Sequence, residues 1–184
     1  MPQESKFTLV WIDMEMSGLN PEKEVILEIA SVITDDQLEV IETGPELIVN
    51  QPPELFEKMD SWNQKQHTKS GLWKKVLQSS LSVEDAELQT LQFLQAHLKP
   101  RSAPLCGNSV HQDRRFLNKY MKRIDEFLHY RIIDVSTIKE ISNRWYKNIP
   151  HHTKKNSHRA LDDILESIDE LKYYRKQIFI PNPT

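Results

Sequence analysis

Between Phe7 and Met16 the chain is apolar apart from Thr8 and two acids, Asp13 and Glu15, separated by a single residue. Side chains alternate between the faces of a strand, so the two carboxylates share one face about 7 Å apart. The rest of the run, Leu9, Val10, Trp11, Ile12, Met14 and Met16, is too apolar for an exposed edge, so each acid needs compensation. The pattern demands a sheet with a buried strand that carries charge. Taken alone, a D-x-E is also satisfied by an Asp that caps the strand and a solvated Glu.

Two more strands follow at Val25 to Thr34 and Leu38 to Thr43, punctuated by Gly18, Asn20-Pro21, Asp35-Asp36 and Gly44-Pro45, which makes a β-meander. Ser82 and Asp85 form a capping signature for a helix with Val83, Ala86, Leu91, Leu94 and Leu98 on one face, ended by Pro100. A short strand is expected at Leu105 to Gly107. Ser109 with Gln112 predicts the start of a helix that turns Phe116, Leu117, Tyr120, Met121 and Ile124 inward. Ile132 to Val135 reads as another strand, and Ser136 as the cap of a helix bearing Ile138, Ile141 and Trp145. After a polar stretch from Lys147 to Lys155 comes a last helix of roughly twenty residues, then a tail marked by Pro181 and Pro183. Three strands followed by alternating strands and helices predict an α/β fold, a mixed sheet with helices on its faces. Across 184 residues this reads as a single domain, 1–184, without repeats.

No segment approaches the roughly 18 consecutive apolar residues of a membrane span, and the polar start from Met1 to Lys6 lacks a secretory signal, so no membrane association and a cytoplasmic location are expected. One cysteine, Cys106, excludes an intrachain disulfide and a Cys-based zinc cage. A net charge of −3 argues against a long nucleic-acid footprint, which takes a basic surface. A nucleic-acid substrate for this chain is short, or gripped by metals and a few donors.

Two further motifs lie downstream. Asn108-Ser109-Val110-His111-Gln112-Asp113 places an acid in the first turn of a helix, and His158-Arg159-Ala160-Leu161-Asp162-Asp163 opens the last helix. Singly, each acid is accounted for as a partner of the helix dipole, and a histidine ahead of a helix as a surface residue. In order, however, D-x-E, N-S-x-x-x-D and H-x-A-x-x-D resemble the three motifs of the DEDDh 3′→5′ exonucleases. The segments Leu9 to Leu19, Cys106 to Ser109, Tyr130-Arg131 and Asp134 to Thr137 are similar to the oligoribonucleases of that family.

The resemblance implies a ribonuclease H-like mixed β-sheet flanked by helices, and phosphodiester hydrolysis with two divalent ions about 4 Å apart, Mg²⁺ or Mn²⁺ by the hardness of oxygen ligands. It implies that Asp13, Glu15, Asp113 and Asp163 hold the metals and that His158 is the general base. It also implies that Leu19, Trp62, His67 and Tyr130 contact bases or sugar, and that Ser109, Arg131, Ser136 and Thr137 cap the 5′ phosphate of short RNA, dinucleotides in particular. The family forms homodimers, with the residue matching Tyr130 reaching the neighbouring subunit's site. From the residues alone, Trp62 is equally a core residue, Arg131 a surface ion-pair partner, Ser136 an N-cap, and the run Phe127, Leu128, Tyr130, Ile132 and Ile133 an interface or a buried strand. The basic segment from Lys147 to Arg159, with Lys154 and Lys155, reads as a loop that brings His158 into place, or as a solvated loop only. An exonuclease of longer RNA or single-stranded DNA, and a binding module without turnover, are the rival functions.

Overall fold

The structure, a computed structural model, describes residues 7–146, 148–150, 152 and 159–179. Strands β1 (Thr8–Met16), β2 (Ile26–Asp35) and β3 (Val40–Thr43) form the expected antiparallel meander, and β4 (Leu47–Ile48) pairs with the far end of β2. On the other side of β1, β5 (Pro104–Gly107) and then β6 (His129–Asp134) add in parallel. The order β3-β2-β1-β5-β6 leaves the acid-bearing strand at the centre of a mixed sheet.

Alternation along β1 sorts its side chains between two cores. Val10, Ile12, Met14 and Met16 face α4 (Val83–His97), α5 (His111–Tyr120) and α6 (Lys122–Phe127), where Leu94, Phe116, Leu117 and Ile124 are buried against them. Trp11 faces α7 (Val135–Trp145) and α8 (Ala160–Ile178), packing with Val32, Cys106, Ile164 and Ile168. Its indole N–H donates to Thr34 Oγ1 at 3.0 Å, so the one polar atom of this ring is satisfied. Asp13 and Glu15 share the face of Trp11, which directs both carboxylates towards α8. Gly107 lets β5 approach: a Cβ there would lie 3.3 Å from the Ile12 carbonyl oxygen and 3.1 Å from Val110.

Several expectations are corrected. The segment between β4 and α4 forms α1 (Leu55–Lys58), α2 (Ser61–Lys69) and α3 (Leu72–Gln78), none of them foreseen. The buried positions of α2 are the polar Asn63 and His67, so the hydrophobic periodicity that announces a helix is missing there. Ser109 is not a helix cap. Its φ of 51° puts it in the left-handed region, and α5 starts after Val110, breaks at Met121 and restarts as α6. Ser136 is likewise not the cap of α7. It lies inside the first turn, and the cap is the extended Asp134, whose Oδ1 accepts from Ser136 N at 2.9 Å. Ser82 does cap α4, accepting from Asp85 N at 3.0 Å. Trp145 points outward.

Candidate active site

Three carboxylates converge beside β1: oxygens of Asp13, Glu15 and Asp163 all lie within 4.8 Å of one another. The first two come from alternate positions of the central strand and the third from the first turn of α8, which the packing of Ile164 and Ile168 seats on that face. Asp113 arrives from the first turn of α5. The ladder between β1 and β5 runs through Val10↔Leu105 and Trp11↔Cys106, and past its end Met14 N donates to Asp113 Oδ1 at 3.0 Å. The buried fourth acid thus completes the hydrogen bonding of the strand that carries the first two, between which Met14 sits.

So many acids in one place cannot all ionise freely. The Glu15 carboxyl is pushed up to about 8, first by burial and then by Asp163, Glu28 and Asp113, against a lowering by Arg159. Burial also raises Asp113, opposed by backbone N–H donors including that of Met14. A cluster of hard oxygen donors whose mutual repulsion would be relieved by a cation fits a divalent metal, and it offers no soft ligand.

Part of this charge is balanced by an ion pair that sequence reasoning missed. Glu28, fully buried on β2, is the antiparallel partner of Glu15. Arg159 meets it with Nε 3.1 Å from both carboxylate oxygens and Nη2 2.6 Å from Oε1, and it also contacts Glu46. Ala160 N lies 3.3 Å from Glu28 Oε2. The clamp ties the start of α8 to β2, and truncating Arg159 would leave a buried carboxylate uncompensated at a cost of about 3–5 kcal/mol. A lone acid in the apolar run Ile26-Leu27-Glu28-Ile29-Ala30 was the available signal. His158, together with Lys147, His151 and residues 153–157 of the loop before it, lies outside the described residues, as do Pro181 and Pro183.

The remaining candidate residues fall into two settings. Leu19 and Trp62 are 63% and 58% exposed, which removes the reading of Trp62 as core. His67, five residues along α2 and so about 140° round the helix, turns inward and is only 1% exposed. Its Nε2 donates to the Met16 carbonyl at 2.9 Å and its Nδ1 is 3.9 Å from Glu15 Oε2, so it walls the acids rather than standing on the rim.

Ser109 and Ser136 lie side by side. Ser109 N donates to Asp134 Oδ1 at 2.9 Å and to Ser136 Oγ at 3.0 Å. With Thr137 and His111 they line a hollow of about 430 Å³. Arg131 stands on β6, the last strand in the sheet order, with Nε donating to Tyr130 OH at 3.1 Å. Among the described residues it has no carboxylate partner, and Tyr130 is 74% exposed. Another hollow, of about 1060 Å³ between α8 and the start of β1, is lined by Leu9, Leu38, Ile133 and Leu171 and includes none of these residues.

Known proteins share both this sequence and this architecture. The family described as Exonuclease (RNase_T) matches residues 10–171. An oligoribonuclease of Marinobacter nauticus is 52% identical over 172 residues, covering 93% of this chain and 96% of its own. One from Acinetobacter baylyi is 49% identical over 95% of this chain and 96% of its own. A probable oligoribonuclease of Caenorhabditis elegans is 46% identical over 94% and 89%. Among solved structures, apo exonuclease I superposes with a TM-score of 0.69 at 12% identity, covering 94% of this chain and 42% of the other. Exonuclease I of Methylocaldum szegediense gives 0.63 at 15%, over 93% and 41%. The chain spans about two-fifths of those structures, and at such identities the likeness establishes the fold alone.

Proposed function

This chain belongs to the oligoribonucleases of the RNase_T exonuclease family, and we propose that it removes nucleoside 5′-monophosphates from the 3′ end of very short RNA, dinucleotides above all. It is a nuclease, an exoribonuclease of oligoribonucleotides. The observation that supports the finer reading is the convergence of Asp13, Glu15 and Asp163, together with a hydrogen-bonded Ser109–Ser136 pair.

Asp13, Glu15 and Asp163, with Asp113 behind the strand, would hold two divalent ions, Mg²⁺ or Mn²⁺. When bound, such ions lower the pKa of an attacking water and neutralise charge on the departing 3′ oxygen. The chain's own residues do the rest. Asp113 fixes β1 through Met14 N, so Asp13 and Glu15 keep their spacing. The clamp of Arg159 on Glu28 anchors the residue next to His158, to which we assign the base, imidazole being the side chain suited to proton transfer near neutral pH.

Leu19 and Trp62 offer apolar faces to bases, and His67 closes the wall behind them. We assign the 5′ phosphate to the hollow of Ser109, Ser136 and Thr137, with Arg131 of β6, outside that lining, as its charged partner, so the site ends after two nucleotides. The exposed outer strand β6, with Tyr130 and Ile132 in solvent, is covered by a second copy in a two-fold homodimer. We place this single-domain enzyme in the cytoplasm, a reading supported by its lone, buried and free Cys106.

The test is hydrolysis of 5′-labelled RNAs of two, three, five and about twenty nucleotides with Mn²⁺ or with chelator. Steep preference for the dinucleotide, abolished by chelator, is the expected result. Equal cleavage of the long substrate would leave an exonuclease without a phosphate cap, and no turnover with any metal would leave a binding module.

A further inference from the structure

Asn108, which the sequence motif singles out and the reading above leaves without a role, stands between the phosphate-binding serines and the acids. It follows β5 directly, and its amide bridges two helices. Nδ2 donates to Ser167 Oγ at 2.8 Å and to Glu170 Oε2 at 3.0 Å on α8, while Oδ1 accepts from Ser136 Oγ at 3.0 Å on α7. Turning the amide over would set Oδ1 against the Glu170 carboxylate, so the orientation is fixed. Lys139 Nζ, 3.4 Å from Glu170 Oε1, holds the other side of that buried carboxylate.

The hydrogens are then determined along the whole row. Ser167 Oγ accepts from Asn108, and its single hydrogen goes to the Asp163 carbonyl at 2.7 Å. Ser136 spends its hydrogen on Asn108 Oδ1, an acceptor only. Its two lone pairs take Ser109 N at 3.0 Å and the Ser109 hydroxyl at 3.1 Å. A hydroxyl has one donor and two acceptor sites, so Ser136 is full. It can donate to a phosphate, an acceptor-only ligand, only by withdrawing its hydrogen from Asn108. That withdrawal leaves Asn108 Oδ1 without its donor, and the amide, its orientation kept by Glu170, shifts its contact with Ser167, which bonds the residue bearing the Asp163 carboxylate.

We infer that Asn108 is a positioning residue that couples occupancy of the 5′-phosphate pocket to the placement of Asp163, so that the phosphate promotes turnover and not only binding. This rests on the assignment of Ser109, Ser136 and Thr137 to the phosphate. The physical warrant is a continuous hydrogen-bonded row, Ser109, Ser136, Asn108, Ser167 and Asp163, in which one hydroxyl has two exclusive partners.

The experiment compares a dinucleotide carrying a 5′ phosphate with the same dinucleotide ending in a 5′ hydroxyl, using the full-length wild-type protein and the Ser167→Ala and Asn108→Ala variants. Each variant is first checked for a wild-type melting profile. Wild type is expected to gain at least tenfold in kcat from the phosphate. Ser167→Ala should lose that gain while its KM for the phosphorylated substrate stays within twofold. Asn108→Ala frees Ser136 to donate, so its KM should hold or fall while the kcat gain disappears. A merely structural defect would not tighten binding and slow turnover together.

A readout without turnover is the shift of the α8 backbone amides in NMR when the phosphorylated dinucleotide is added to protein in chelator. Shifts around Asp163 in wild type that vanish in Asn108→Ala are expected. If the variants keep the full kcat gain, or if the wild-type gain lies in KM alone, the coupling is overturned and the phosphate pocket stands. If wild type does not distinguish the two dinucleotides, the pocket assignment falls and the coupling with it.

Discussion

Asp13, Glu15 and Asp163 are held by a central strand and a packed helix, with Asp113 and the clamp of Arg159 on Glu28 closing around them, whereas Leu19, Trp62 and Tyr130 stand mostly in solvent. The acids are costly to bury and would drive the site apart if the core did not enforce their spacing. The rim residues cost the fold little, because more than half of each lies in solvent. Under the proposed function, chemistry is written into the core, and substrate choice into a surface the core constrains far less. His67 is the exception that joins the two, a residue of the α2 helix whose ring is buried against the acids.

This contrast predicts that changes among the acids separate activity from stability in one direction, and changes on the rim in another. Asp13→Ala should reduce kcat about a thousandfold or more, equivalent to about 4 kcal/mol of barrier, while thermal unfolding in chelator stays unchanged or improves as repulsion is relieved. Steady-state kinetics beside calorimetry will show it, and a collapsed fold would mean that the acid is structural. Arg159→Ala should do the reverse of a rim change, lowering stability by about 3 kcal/mol, or about 6–12 °C in Tm for a chain of this size, because Glu28 is left buried and unpaired.

The raised Glu15 carboxyl gives the site a pH signature. A folded pKa of about 8 against an ordinary 4.5 means that the stabilising contribution is complete at acid pH and is lost as pH rises through about 8. In chelator, Tm should fall between pH 5 and pH 8.5 by about 4–8 °C, the full shift being reduced because metal-free carboxylates can turn towards water. Mn²⁺ should flatten the curve. A Tm independent of pH in chelator would mean that the acids are not crowded.

On the rim, Arg131→Ala should lower kcat/KM on a 5′-phosphorylated dinucleotide by about 10- to 100-fold, the value of a charge-assisted pair, with Tm moved by less than about 1 °C. Loss of stability instead would make Arg131 part of the fold. The smallest effect is expected of Trp62→Ala, about a five- to tenfold rise in KM from lost stacking with kcat and Tm retained. Equal KM values in variant and wild type would remove Trp62 from the substrate surface.

The sequence announced the central strand through Asp13 and Glu15, because an acid in an apolar run admits few placements. It also announced the meander, β5 and the last helix, each marked by periodicity or by turn residues. The helices between residues 55 and 78 were invisible because α2 buries polar side chains, so no apolar stripe marks it. The two serine caps were misassigned for a related reason. Ser109 and Asp134 are decided by backbone conformation at the end of a strand, φ of 51° in one and an extended cap in the other, and neither can be read from residue type.

What the sequence determined by itself is thus the chemistry in stock: acids at fixed intervals, an Asn-Ser pair, a histidine ahead of a helix, and the apolar alternation that makes β1 a buried strand. Only the tertiary structure decided which of those groups meet. Asp163 reaches Asp13 across about 150 residues, Arg159 finds Glu28 from 131 positions away, and Asn108 spans from Ser136 to Ser167. The physical reason is that local patterns fix which face a side chain takes, while pairing between distant segments follows from sheet register and helix packing, which bury the apolar faces and leave the polar groups to find partners within hydrogen-bonding reach.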